Sequence, residues 1–226
     1  MGTEPARVAF FDVDETLITV KGMLSFLEFH LDAPDRYRQI ADRLHRLAAD
    51  GAPREETNRL YYEVFAGQRE TEVAASGRRW FQREMVGGSL FHGELVRVLR
   101  RLQAAGTITV LVSGSFSACL GPIAEHLGAD HVLGTVPEVR AGRYTGRVLR
   151  TVIGEGKATA ARALLAEFGV DGRRCVAYGD HSSDLPMLLA VGHAGVVGQD
   201  PVLLAHAAER GWDRLPGIPT RREGKA

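Results

Sequence analysis

Val8-Ala9-Phe10-Phe11-Asp12-Val13-Asp14-Glu15-Thr16-Leu17 is the stretch on which the fold turns. Four apolar residues lead straight into two carboxylates one residue apart. An unbroken apolar run of this kind suits a strand buried on both faces, as in a parallel sheet. Asp12 and Asp14 then stand where the strand ends. In open α/β sheets ligands bind beyond the carboxyl ends of the strands. Two carboxylates there can divide the labour, one attacking or binding metal while the other moves protons. A strand that merely closes in an acidic turn would read the same way, so the rest of the chain has to decide.

Two further apolar runs end in polar chemistry. Thr107-Ile108-Thr109-Val110-Leu111-Val112 reads as a buried strand running into Ser113-Gly114-Ser115. Cys175-Val176-Ala177-Tyr178 reads as another, running into Gly179-Asp180-His181-Ser182-Ser183-Asp184. Helical patterns separate them: Leu90 to Ala105, Phe116 to Leu127 with a break expected at Gly121-Pro122, and Lys157 to Phe168. His131 to Val139 is extended, Arg140 to Arg143 a hairpin turn, and Tyr144 to Val148 the returning strand. Leu185 to Ala190 is helical, and Ala194 to Val197 is the last strand expected. The alternation predicts an α/β fold: a doubly wound, Rossmann-like parallel sheet with right-handed crossovers, carrying a small β-hairpin. A parallel sheet brings Asp12/Asp14, Ser113 and Asp180/Asp184 to one edge. That convergence makes the acidic turn a candidate active site.

From Leu17 to Val86 the strand pattern stops and helical patterns take over. Met23 to Leu31 is strongly apolar, residues 34–49 open at Pro34 with Tyr37, Ile40, Leu44 and Leu47 in register, and Pro53 opens a third helix carrying Leu60, Tyr61, Val64 and Phe65. A fourth covers 70–86 and stops at Gly87-Gly88. These stripes read as bundle core. The segment is therefore expected to be an inserted all-helical cap over 18–87, with residues 1–17 and 88–216 forming the α/β core and 217–226 a disordered tail.

Composition narrows the partners. The 226 residues carry 28 basic and 28 acidic side chains, a formal net charge of zero, and 45% hydrophobic residues. Nothing in that balance calls for nucleic acid or an anionic membrane as partner. Arg36, Arg38, Arg43 and Arg46 are interleaved with acids and read as a solvated face. Cys119 and Cys175 stand far apart, outside any metal-ligand spacing, which fits a reduced, cytoplasmic setting. No signal segment or membrane-length apolar run is visible. Lysine occurs only at 21, 157 and 225 in a chain rich in arginine, so each marks a place where a compact point charge is kept.

The chemistry can be assembled from these residues. Asp12 and Asp180, from two strands, make an all-oxygen site that suits Mg2+. Ser113 and the backbone at Gly114 offer donors to phosphate oxygens, and Lys157, at a helix start, adds positive charge. Nucleophile, cation and cradle together describe phosphoryl transfer through an aspartyl-phosphate. Two lookalikes fail. Gly154-Glu155-Gly156-Lys157 lacks the first glycine and the final Ser or Thr of a P-loop, and Ser113 lacks the glycine two residues before it that a nucleophile elbow needs. His181, in the last acidic loop, reads as an exposed loop histidine.

Asp12-Val13-Asp14-Glu15-Thr16, Ser113-Gly114, Lys157 and Gly179-Asp180-His181-Ser182-Ser183-Asp184 resemble the four motifs of the haloacid dehalogenase superfamily of phosphatases. The helical insert and the hairpin resemble its phosphoserine phosphatase-like branch. The resemblance implies Asp12 as nucleophile and Asp14 as the acid that protonates the leaving oxygen and then activates water. It implies Mg2+ held by Asp12, the Asp14 main-chain carbonyl and Asp180, with Asp184 supporting the metal's waters and Ser113, Gly114 and Lys157 holding the phosphoryl group. Where phosphoserine phosphatases carry a glutamate for the substrate's amine, nine residues after the nucleophile, this chain has Lys21. Lysine cannot pair with an ammonium. Arg59 resembles their cap arginine. The expected substrate is a small phosphomonoester other than phosphoserine, anionic or polyhydroxylated, with Lys21 and Arg59 as cap-side contacts. A phosphotransferase or mutase using the same intermediate, and a non-catalytic binding protein, are the alternatives. A monomer or homodimer is expected.

Overall fold

The computed structural model describes residues 7–218. The chain opens with β1 (Val8–Asp12) and then runs through four helices, α1 (Gly22–Leu31), α2 (Pro34–Ala49), α3 (Arg54–Glu63) and α4 (Glu70–Val86). There follow α5 (Gly93–Ala104), β2 (Ile108–Ser113), α6 (Ser117–Leu127), β3 (His131–Gly134), β4 (Val136–Arg140) and β5 (Arg143–Arg150). The last part comprises α7 (Glu155–Phe168), β6 (Val176–Gly179), α8 (Leu185–Leu188), β7 (His193–Val197), α9 (Pro201–Arg210) and β8 (Asp213–Leu215), with short 3-10 turns at Gly172–Arg174 and Ser182–Asp184.

The main sheet has the order β3-β2-β1-β6-β7-β8, with every pair parallel, and β4 and β5 form a separate antiparallel hairpin. The chain fills one side of β1 first and the other side afterwards, so the strand order reverses at β1. That reversal opens a crevice at the carboxyl ends of β1, β2 and β6. Strand periodicity explains why β1 reads as a continuous apolar run. Val8 and Phe10 point into a cluster with Ala161, Leu165, Leu188 and Leu203, while Ala9 and Phe11 point into a second with Phe26, Phe65, Leu95 and Leu120. Each phenylalanine is worth about 1.5–3 kcal/mol of burial.

The second cluster runs unbroken from the sheet into the four-helix segment. Phe65 lies at its centre, with ring centroids 5.3 Å from Phe116, 5.5 Å from Tyr61, 6.1 Å from Phe26 and 6.2 Å from Tyr144. The hairpin fastens the same region from outside. Gly67 N–H donates to the Tyr144 carbonyl (2.8 Å), Tyr144 N–H to that of Gln68 (3.0 Å) and Glu70 N–H to that of Gly142 (3.0 Å). The hairpin turns through Ala141 (φ 48°) and Gly142 (φ 73°), both left-handed, as a tight two-residue turn requires.

Three features differ from the sequence reading. First, α6 is unbroken although Pro122 lies inside it. Proline has no N–H to give the Ala118 carbonyl four residues back. Gly77 of α4 packs on that same oxygen: a Cβ at position 77 would stand 1.8 Å from it. A glycine Cα that close can make a weak C–H···O contact with the carbonyl. Second, α9 and β8 follow β7, so β7 is not the last strand. Asp200 caps α9 by accepting from Val202 and Leu203 N–H (2.9 and 3.1 Å), and Pro201 occupies its first turn. Third, of the tail expected to be disordered, Gly217 and Ile218 are described and residues 219–226 lie outside the described residues. Pro216, just ahead, faces His92 (Nε2···O 3.0 Å). Among the described residues, no helix is long and apolar enough to cross a membrane.

Candidate active site

Register sets the site. Asp12 pairs with Val112 and Phe11 with Tyr178, so Ser113 and Asp180 project just past the end of β1. After Asp12 the backbone winds tightly: Leu17 and Ile18 N–H both return to the Val13 carbonyl (3.0 and 2.9 Å), and Glu15 takes a left-handed φ of 57°. This turn brings Thr16 back over Asp12.

The Thr16 hydroxyl lies 2.7 Å from Asp12 Oδ2 and 2.9 Å from Asp180 Oδ1, so one proton serves two carboxylates. The other Asp12 oxygen accepts from Lys157 Nζ, which also donates to Asp184 Oδ1 (2.6 Å). Lys157 enters on the first turn of α7 and is buried. Asp184 Oδ2 accepts from the N–H groups of Asp180 (3.2 Å) and His181 (3.3 Å), closing the loop that carries Asp180. That closure needs Gly179, where a Cβ would stand 2.7 Å from the Asp184 side chain. Asp14 turns the opposite way, accepting from the Ser113 hydroxyl (2.9 Å) and from Gly22 N–H at the start of α1.

Negative charge outweighs positive here. Burial pushes Asp12 well above the usual carboxylate range; Lys157 opposes the rise, while Asp184, Asp180 and Asp14 add to it. Asp180 is pushed up to about 6 by burial and then by Asp184. Asp14 is raised by burial and partly restored by Ser113 and Gly22. Burial alone would lower Lys157, but Asp12 and Asp184 more than reverse it and keep the lysine charged. One ammonium among four carboxylates leaves room for a cation. Asp12, Asp180 and Asp184 present oxygens within 4.8 Å of one another, a donor set suited to a hard divalent metal. Both oxygens of Asp12 and both of Asp184 already accept hydrogen bonds, whereas Asp180 is engaged through Oδ1 alone.

These residues form the floor of a cleft of about 440 Å³ beneath the helical segment. Asp12, Asp14, Ser113, Gly114, Lys157, Asp180 and Asp184 all line it. So does Lys21, at the exposed mouth and 3.7 Å from Glu15. Arg59 does not: it is exposed, and α3 turns Arg54, Thr57, Asn58 and Tyr61 into the cleft instead. Those four share one helical face, and residue 59 lies off it. Arg54 reaches the acidic loop, where its Nη1 lies 2.8 Å from His181 Nδ1 and 3.1 Å from the Ser183 hydroxyl. His181 is exposed, as expected, but its Nδ1 also accepts from Ser183 N–H (3.0 Å). Burial, then Arg54, lowers its basicity. Thr16, Arg54 and Asn58 were not singled out from sequence. Only Thr16 carried a signal, as the last residue of Asp12-Val13-Asp14-Glu15-Thr16.

Residues 9–189 match the family profile of haloacid dehalogenase-like hydrolases. The chain belongs to that family. A probable phosphatase of Mycobacterium tuberculosis is 35% identical over 223 residues, spanning 95% of this chain and 77% of that protein. A Streptomyces azureus protein named for inhibition of morphological differentiation is 32% identical over 223 residues (93% and 78%). A solved structure of unknown function from Bordetella pertussis Tohama I superposes with a TM-score of 0.82 at 30% identity, covering 93% of this chain and 98% of that one. A substrate-bound phosphoserine phosphatase shares the fold at TM-score 0.67 and 17% identity (96% and 95%).

Proposed function

We propose that this hydrolase is a Mg2+-dependent phosphatase that cleaves a small phosphomonoester through an aspartyl-phosphate on Asp12. The observation that carries the reading is the division between the two carboxylates. Asp12 is held by Lys157 and Thr16 at the cation-poor centre, and Asp14 is turned away beside Ser113. Mg2+, held by Asp12 and Asp180, would offset charge on the phosphoryl oxygens and on Asp12.

In the first step an Asp12 oxygen forms a bond to phosphorus while the ester P–O bond breaks, and Asp14 gives its proton to the leaving alcohol oxygen. In the second, Asp14 takes a proton from water as the water oxygen bonds to phosphorus. The Asp12–phosphorus bond breaks and orthophosphate leaves. Burial raises Asp14, which favours the protonated form that the first step uses. Ser113, the Gly114 backbone and Lys157 hold the phosphoryl oxygens. Cys119 and Cys175 are free and buried, in keeping with a reducing compartment.

The cleft walls point to a different alcohol from the anionic or polyhydroxylated one expected from sequence. Met23, Leu24, Leu44, Ala48 and Ile153 line the cleft together with the polar floor and with the exposed Lys21 and Arg54. We infer an ester with an apolar segment beside the phosphate and a polar end at the mouth. Phosphoserine, with an ammonium and nothing to fill that wall, is a poor match.

The test is orthophosphate release from alkyl, aryl, glycerol and amino-acid phosphates, with and without Mg2+, comparing wild type with Asp12→Asn. The expected result is Mg2+-dependent release that the substitution abolishes, with kcat/KM rising about fourfold per added methylene in the alkyl series. Release that survives Asp12→Asn would overturn the intermediate. A flat alkyl series would overturn the substrate class alone.

A further inference from the structure

The Gly114–Ser115 peptide joins the cap to the catalytic floor. Its carbonyl accepts two hydrogen bonds from α3, one from Asn58 Nδ2 (2.9 Å) and one from the Tyr62 hydroxyl (2.9 Å). Its N–H donates to Ser113 Oγ (3.0 Å), and Ser113 donates its own proton to Asp14 Oδ2 (2.9 Å). Asn58, Tyr62, Ser113 and Ser115 are all buried. The direction of each bond follows from the groups. A carbonyl only accepts, so Asn58 must present its amide nitrogen; its oxygen faces the Thr135 hydroxyl (3.4 Å). A serine oxygen that accepts a backbone N–H has its own proton confined to the remaining directions, and here it goes to Asp14 Oδ2 on the cleft floor.

We propose that Tyr62 and Asn58 are positioning residues of the phosphate cradle: by donating together to the Gly114 carbonyl, they fix the Gly114–Ser115 peptide plane and thereby the direction in which Ser113 presents its hydroxyl. The proposal rests on the reading that Ser113 and the Gly114 backbone hold phosphoryl oxygens. Tyr62 does not line the cleft; Asn58 does, but its amide nitrogen is given to the Gly114 carbonyl, and both act through the peptide. Two donors on one carbonyl also polarise the peptide, making its N–H a stronger donor to Ser113. The cap thus sets the geometry of the floor as well as covering it. Because the donors share one acceptor, each partly substitutes for the other.

The experiment uses the full chain with Mg2+ and three variants: Tyr62→Phe, which keeps the ring, Asn58→Ala, and the double substitution. Orthophosphate binding by calorimetry reads the cradle independently of turnover. Steady-state kinetics on the best ester then separates kcat from KM. Each single variant should weaken orthophosphate binding about threefold, and the double by much more than the product of the singles, about thirtyfold or above. If the double variant does not fold, Tyr62→Phe alone decides. Lower melting temperatures with unchanged orthophosphate affinity, kcat and KM would mean that the pair only holds the cap, and would overturn the proposal. A wild type that binds orthophosphate, weakened in the variants, yet hydrolyses no ester supports the proposal and sinks the phosphatase reading. A wild type that binds no orthophosphate sinks both.

Discussion

Two neighbouring helices roof the same cleft and are held in opposite ways. α3 buries Asn58, Tyr61 and Tyr62, and Tyr61 donates to the Met23 carbonyl (2.8 Å) while Tyr62 and Asn58 grip Gly114. α2 is longer but buries only Ala41 among its residues, and it hangs between two left-handed positions, Asp32 (φ 45°) and Gly51 (φ 84°). It still gives the cleft Leu44, His45 and Ala48. The difference separates two tasks. The helix tied to the floor keeps the chemistry in register, and the lightly held one shapes the room for the alcohol. Regions with few buried contacts open at low cost, so α2 is where substrate entry and changes of specificity should concentrate.

Substitutions can break or sharpen this contrast. The largest effect belongs on the tied side. Phe65→Ala, at the centre of the aromatic cluster, should cost about 3–5 kcal/mol in urea unfolding; a cost below 1 kcal/mol would show that the cap and sheet cores are not continuous. Gly77→Ala, which forces a methyl onto the Ala118 carbonyl, should cost about 1–3 kcal/mol by the same measurement.

A smaller effect should follow pH at the edge of the cluster. His30 on α1 bonds Gln68 through Nε2 (2.6 Å), and its buried Nδ1 has no hydrogen-bond partner among the described residues. Burial holds its basicity below the usual 6.5, and Arg79 and Arg36 oppose protonation, though the Gln68 bond favours it. A histidine kept neutral in the fold contributes stability that is whole above about 6.5 and is lost as pH falls through its lowered folded value. Melting temperature should therefore fall less steeply from pH 7 to 5 in His30→Phe than in wild type; parallel curves would remove His30 from the account. The smallest effect belongs to the loose helix. Leu44→Ser should change unfolding free energy by about 0.5 kcal/mol or less, while flattening the dependence of kcat/KM on alkyl length. A large loss of stability there would erase the distinction between the two helices.

The floor of the site was legible because its residues lie at strand ends, where sequence order and spatial position coincide. Asp12, Ser113 and Asp180 needed only the apolar runs before them. The roof was not legible in the same way. Arg59 was named for its resemblance to a cap arginine, and Arg54 was not singled out. Which one enters the cleft depends on how α3 is rotated, and burial of Tyr61 and Tyr62 sets that rotation from outside the motif. Asn58 and Tyr62 were not singled out; their roles appear only with the Gly114 carbonyl opposite. Pro122 suggested a break, and Gly77, which packs on the carbonyl that proline leaves without its donor, lies 45 residues earlier. The β8 strand has three residues at the sheet edge with partial exposure, too little pattern to register.

The contact between Gly77 and the Ala118 carbonyl has one further consequence. It works as an index mark. Gly77 is the one glycine in α4, so sliding α4 along α6 by a turn in either direction would bring a side chain against the notch and be rejected. The close approach of Gly77 to the Ala118 carbonyl therefore sets the axial position of α4 against α6, within the excursion of the chain between β1 and α5.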